Sequence, residues 1–275
     1  MIPFKMNISA RSALTEIIET AYRNIPADLL PVFFMDQVIG HVSPGIFFAL
    51  QHFIQQEDQD LQLIHCANQK ILITQAPPYQ LSIELRILAE YLKDTQLIHG
   101  WRDEDFSFID EHQLERFRVE RTFFRSMGFH SRAVHVNGFQ AEGKVWIARR
   151  SHTKQIDPGR LDNITAGGLS ANETLFNCVI RELWEEAGIN AEQSLHINPM
   201  SSVTIRRGIN DGSLHHETLY TYDLELPENF QPQNQDNEVS EFYLFDYEEA
   251  LHHVLTEQFT IDAGVVTADF LLRHC

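Results

Sequence analysis

Between Gly167 and Ile189 the chain carries a segment with little freedom in how it can fold. Ser170 follows a Gly-Gly pair and has Glu173 three residues on, the spacing of a capping box in which a hydroxyl and a carboxylate satisfy free N–H groups at a helix start. Gly188 stands where a left-handed residue would end the same helix. The spacing predicts a helix from about Asn172 to Ala187, with Leu175, Phe176, Val179, Ile180 and Leu183 on one apolar face. Glu182, Glu185 and Glu186 fall at i, i+3 and i+4, within an arc of roughly 100° beside that face. Like charges this close repel, and a cation among them removes the cost. Glu-rich helix faces are commonly just solvated. The flanks, glycine before and glycine after at fixed distances, set this one apart.

The rest of the chain supplies a frame for that helix. Ala133 to Phe139 and Lys144 to Ala148 read as strands joined by a turn at Ala141-Glu142-Gly143. Further strands fall around Leu219 to Leu226 and Glu241 to Phe245, and two helices end the chain. Strands interleaved with helices imply an α/β layer arrangement. Upstream, Ser12 to Arg23 has a helical stripe through Leu14, Ile17, Ile18 and Ala21. Leu29 to Val42 reads as a hairpin about Asp36-Gln37, Gln51 to Gln75 as helix and loop, and Ser82 to Leu92 as a helix. Glu115 to Arg125 looks helical up to Gly128, so the boundary is drawn there. Of the 275 residues, 1–125 are expected to form a smaller α+β domain, a candidate substrate cap, and 126–275 the domain with the glutamates.

Charge narrows the partners. With 21 Lys+Arg against 39 Asp+Glu the net charge is -18, which repels nucleic acid and anionic membranes. A small phosphorylated substrate remains open, because a bound divalent cation reverses the local field. Lys144, Arg149, Arg150, Lys154 and Arg160 cluster just before the glutamate segment and are candidates for phosphate contacts. Arg149 and Arg150 are neighbours on a strand, so at most one faces the site. Cys66, Cys178 and Cys275 are scattered without CxxC spacing, which indicates neither a disulfide framework nor a zinc site. The N-terminal residues Met1 to Met6 lack the pattern of a secretory leader, so the cytoplasm is the expected compartment.

Read in full, the segment runs Gly167, five residues, Glu173, seven residues, then Arg181-Glu182-Leu183-Trp184-Glu185-Glu186-Ala187-Gly188. It resembles the Nudix box at every fixed position. That resemblance implies an α/β/α sandwich about a mixed sheet and hydrolysis of a diphosphate. The metal would be Mg²⁺, with Mn²⁺ able to substitute, as oxygen-only ligands favour. Glu182, Glu185 and Glu186 would hold it, one doubling as general base, with Arg181 orienting them. A further acidic ligand often comes from outside the box, and Glu217, Glu238 and Glu241 are the candidates, Glu238 preferred for its loop position.

The likeness reaches beyond the box. Val134-His135-Val136-Asn137-Gly138, Trp146 to Ser151, Lys154 with Pro158 to Asn163, Tyr220 to Pro227 and Asp269 to His274 are similar to a Nudix subgroup that occurs in plants, in bacteria and as the front half of fungal thiamine pyrophosphokinases. Leu29 to Trp101 resembles its N-terminal domain more loosely. The resemblance implies cleavage of thiamine diphosphate-like compounds, especially oxidised forms, to the monophosphate. Broader nucleoside-diphosphate or ADP-ribose hydrolysis, or a non-catalytic metabolite-binding regulator, are the alternatives, and a homodimer is left open. Isopentenyl diphosphate isomerases have a catalytic cysteine and a metal-binding histidine before the box helix; here Ala166 and Gly168 align there, which argues against isomerase chemistry. Trp101, Phe106 and Phe33-Phe34 are aromatic candidates for stacking on a substrate ring, Trp101 foremost, although aromatics usually build core.

Overall fold

The computed structural model describes residues 5–23, 25–56, 61–154, 156–209 and 212–275. Met1 to Phe4, read above for a leader, lie outside them, as do residues 57–60 of the Gln51 to Gln75 stretch. Helix α1 (Ile8–Thr20) starts earlier than its stripe implied, because the Asn7 side chain caps it by accepting the Ala10 N–H at 2.8 Å. The expected hairpin forms from β1 (Leu30–Phe34) and β2 (Gln37–Val42).

Two stretches depart from the sequence reading. After α2 (Pro44–Ile54), the remainder of the Gln51 to Gln75 region is a second hairpin, β3 (Ile64–Ala67) and β4 (Lys70–Ile73), turning at Asn68 and Gln69, both with positive φ. Such a turn matches the right-handed twist of its strands, and Ile64, Ile71 and Ile73 face the core. Helix α3 (Pro78–Asp94) follows as expected, and then β5 (Asp105–Ile109). The stretch from Glu115 is not one helix: β6 (Glu115–Glu120) pairs antiparallel with β5, and only α4 (Arg121–Ser126) is helical. Phe117 and Val119 are fully buried between polar neighbours, the period of a strand. The first sheet, ordered β2-β1-β4-β3, and the β5–β6 ribbon enclose one aromatic-rich core with α2, α3 and α4.

The larger sheet is built on β7 (Ser131–Gln140) and β8 (Lys144–Arg150), with the short β9 (Leu161–Asn163) and β10 (Thr165–Gly168) laid along them. Helix α5 (Leu175–Ala187) comes next, then β11 (Asn198–Gly208), β12 (Leu214–Glu225), β13 (Val239–Asp246), α6 (Tyr247–Leu255) and α7 (Ile261–His274). The main order is β11-β12-β7-β8-β13; β12 runs parallel to β7 and the other pairs are antiparallel, so the sheet is mixed. Alternation along β7 and β12 sorts side chains to two faces. Val134, Val136, Tyr222 and Leu224 meet α5, while Ala133 and Leu219 meet Val265 and Val266 of α7. The result is the α/β/α sandwich. α1 belongs with its α7 face, since Leu14 joins the core of Phe270 and Leu271. Among the described residues no helix is long and apolar enough to cross a membrane.

Candidate active site

Helix α5 starts at Leu175, capped by the Thr174 hydroxyl, which accepts the Asn177 N–H at 3.2 Å. The predicted start at Asn172 fails because that residue is left-handed, φ 66°. Ser170 is not the cap: its hydroxyl donates to Glu104 at 2.5 Å, and its N–H reaches Glu173 at a long 3.4 Å. Glu173 serves chiefly as a bidentate anchor for Arg181, at 2.9 and 3.0 Å. At the far end Gly188 ends the helix in the left-handed region (φ 67°), donating to the Trp184 carbonyl at 3.0 Å. A Cβ there would stand 2.8 Å from the Gln233 carbonyl. Gly188→Ala is therefore expected to cost about 1–2 kcal/mol, read as a lower urea midpoint with unchanged slope.

The expected apolar face is also corrected. Val179 and Leu183 are buried, but Phe176 is 60% and Trp184 51% exposed, while Glu182 (7%) and Glu186 (5%) turn inward. Small residues on β10 make room for them. A Cβ on Gly167 would lie 1.8 Å from Glu182 Oε1, and the Ala166 N–H donates to Glu186 Oε2 at 2.9 Å. Arg181 lies over the row, its Nη1 donating to Glu182 at 2.6 Å and to the more exposed Glu185 at 3.1 Å.

A loop closes the site by using what the helix leaves unsatisfied. The carbonyls of the last turn have no partner within a helix; here those of Ala187 and Glu185 accept the backbone N–H groups of Gln233 and Gln235, at 2.9 and 2.8 Å. This docks the acidic loop against the end of α5, and Glu186, Asp236 and Glu238 then offer carboxylate oxygens within 4.8 Å of one another. Of the three outside acids, Glu238 is the one brought to the box. Glu217 lies on the α7 face of the sheet, bound to Arg125 at 2.9 Å, and Glu241 pairs with Arg149 at 3.3 Å. Asp236 was not singled out from sequence; its place two residues before Glu238 in the same loop was the available signal.

The basic residues divide in the same way. Lys154, largely buried, contacts Glu238 and comes within 3.7 Å of Glu186. Arg150 pairs with Asp162 at 2.8 Å, beside the same cluster. Arg149 points the other way, to Tyr243 at 2.9 Å and the Gly159 carbonyl at 2.8 Å, so one of the two neighbours does face the site. Arg160 binds the carbonyls of Phe259 and Glu257. Trp101 is packed on the N-terminal core with Lys93 over its ring, its Nε1 donating to Asp103 at 2.7 Å. The residue of that segment that reaches Glu238 is its neighbour Arg102, at 3.0 Å.

Burial, together with the nearby Glu182 charge, pushes the Glu186 carboxyl up to about 8, against the pull of Lys154. Burial raises Glu182 as well, opposed by Arg181, and lowers Lys154, opposed by Glu186. The cluster thus has more buried carboxylate than its cations compensate. An all-oxygen donor set with an unmet need for positive charge fits a hard divalent cation.

The mixed-sheet sandwich with a glutamate-bearing helix docked at its face defines a Nudix-type domain. The NUDIX domain model matches residues 129–270, and the chain belongs to that family. Nudix hydrolase 24, chloroplastic, of Arabidopsis thaliana is 27% identical over 280 residues, 98% of this chain and 74% of that protein. Nudix hydrolase 20, chloroplastic, of the same plant is 34% identical over 200 residues, 69% of this chain and 52% of its own length. The uncharacterized protein YJR142W of Saccharomyces cerevisiae is 32% identical over 195 residues, 64% of this chain and 56% of its own. The matches thus span little more than half of the last two relatives. A crystal structure of DR0079 from Deinococcus radiodurans superposes with a TM-score of 0.49 at 21% identity, covering 62% of this chain and 99% of that one.

Proposed function

We propose that the protein is a Mg²⁺-dependent hydrolase that cleaves a small-molecule diphosphate to its monophosphate and phosphate. The observation that carries this reading is the pair of buried carboxylates, Glu182 and Glu186, in a cradle of small residues with Arg181, Lys154 and Glu238 around them. Glu182, Glu185, Glu186 and Glu238 would hold the cation, with Asp236 beside them. When bound, it neutralises phosphate charge and acidifies a coordinated water. Arg181 fixes the carboxylates in place. Glu185, more exposed than Glu182 and Glu186, is open to accept the proton of the attacking water. The water oxygen bonds to phosphorus as the bridging P–O bond breaks, and the leaving phosphate takes its charge toward Lys154 at the floor of the site.

Thiamine diphosphate-like compounds, particularly oxidised ones, are the proposed substrates, on the likeness of the stretches from Val134 to His274 to the fungal pyrophosphokinase front half. The cytoplasm is the proposed compartment. The test is phosphate release from a panel with Mg²⁺: oxothiamine and oxythiamine diphosphates should show higher kcat/KM than ADP-ribose or nucleoside triphosphates. Selectivity between intact and oxidised ring must come from contacts to the ring, since the diphosphate is common to both and contributes uniform binding. ADP-ribose as best substrate would discard the thiamine assignment and keep the hydrolase. Full activity in excess EDTA, or binding without turnover across the panel, would discard the metal-dependent hydrolase itself.

A further inference from the structure

Residues 101–106 run from the N-terminal core to the loop that leads into α5, and they are held from both sides. Glu120, fully buried at the start of α4, accepts the Arg102 backbone N–H at 2.9 Å. Glu104 joins Ser170 at 2.5 Å and Arg121 at 3.0 Å, and the Asp105 carbonyl accepts the Ala171 N–H at 2.7 Å. The Phe106 ring lies so close to Gly168 that a Cβ there would be 2.6 Å from its Cζ. From this fixed backbone the Arg102 guanidinium crosses to Glu238, meeting one carboxylate oxygen while Lys154 meets the other.

We propose that Arg102 is a phosphate-binding residue of the active site, contributed by the N-terminal unit, with Glu238 holding it ready until a diphosphate arrives. The inference rests on reading the site as a diphosphate hydrolase. A guanidinium presents a planar fork that matches phosphate oxygens and keeps its charge at any working pH. Among the described residues only Nη1 of the Arg102 side chain is engaged, so Nε and Nη2 remain for a ligand. Its side chain is 38% exposed where that of Lys154 is 10%, which puts Arg102 at the mouth of the site and Lys154 at its floor. Arg150 is already committed to Asp162 and to the Ile156 carbonyl. In a cluster this acidic, an anionic substrate needs such a cation at the entrance. The N-terminal unit is then part of the substrate site, and its register against the box loop sets where the diphosphate rests.

The probe is methylenediphosphonate, whose P–C–P bridge resists hydrolysis, titrated calorimetrically into the full chain with Mg²⁺. Arg102→Gln removes the guanidinium and leaves the backbone bond to Glu120 in place, so the fold is retained, and it should weaken binding about tenfold or more. Arg102→Lys should restore part of the loss, and Arg118→Ala, on the β5–β6 ribbon and paired with Glu115, should bind as wild type does. In turnover, KM should rise by a larger factor than kcat falls. Glutamine binding within twofold of wild type, or lysine no better than glutamine, would make Arg102 a strut between the two units and overturn the proposal while leaving the hydrolase reading intact. A wild-type chain that neither binds the probe nor cleaves any diphosphate would overturn both.

Discussion

Replacing Glu186 with Gln is expected to lower turnover by about 10²-fold or more while making the metal-free protein more stable at pH 8. The two effects have one origin. Glu186 is buried, and burial with the Glu182 charge raises its pKa from 4.5 to about 8. A carboxyl whose folded pKa lies above its unfolded value destabilises the fold. Below pH 4.5 both states are protonated and nothing is lost. Between there and about pH 8 the unfolded chain gives up its proton and the folded one does not, so the penalty grows, reaching at most a few kcal/mol. Glutamine carries no such penalty, keeps the size and can still accept the Ala166 N–H. Thermal melts without metal should show the variant gaining on wild type as pH rises from 5 to 8. Added Mg²⁺ should close that gap by stabilising the wild type alone. A variant with near-normal turnover in saturating Mg²⁺, or a stability difference that ignores pH, would contradict the assignment.

The sequence made α5 legible because its evidence is local: a periodic stripe, a C-terminal glycine and carboxylates at fixed spacing all lie within one segment. It misplaced the helix start by three residues because Thr174, a second eligible cap, sits just beyond Ser170, and the Ser170 hydroxyl has a better partner in Glu104. It also inverted part of the helix surface. Phe176 falls on the predicted apolar face and is exposed, whereas Glu182 and Glu186, placed beside that face, are buried. Polarity predicts burial only where a side chain finds no dedicated partner. Here Arg181, the Ala166 N–H and Lys154 are those partners, two of them distant in sequence. The β6 strand was lost for a related reason: the charged residues Glu115, Arg116, Arg118 and Glu120 around Phe117 and Val119 suit a helix as well as an edge ribbon, and pairing with β5 decided it. Convergence of Arg102, Lys154, Asp236 and Glu238 on one carboxylate cluster depends on three separate loops meeting, which no spacing along the chain encodes.

Gly167→Ala is expected to reduce activity about as far as loss of the Glu182 carboxylate itself, about 10²-fold or more, with the fold retained. The added Cβ would lie 1.8 Å from Glu182 Oε1, 2.0 Å from its Cδ and 2.6 Å from its Cγ. Separations this short force a move, and what lies in the way is one side chain rather than backbone. Gly167 sits mid-strand, paired with Val134 on β7, where ordinary extended geometry suits alanine, so the backbone has no reason to yield. Glu182 must leave its cradle, which breaks its 2.6 Å bond from Arg181 and takes the carboxylate away from Glu186. Because the lost group carries a raised pKa from burial, its removal also relieves a cost, and the melting temperature should change little. The discriminating measurement is a double-mutant cycle. If the methyl group acts only by evicting Glu182, then Gly167→Ala added to Glu182→Gln costs no further activity, a coupling as large as either single loss. Fully additive losses would mean that Gly167 matters for something other than the room it gives that carboxylate.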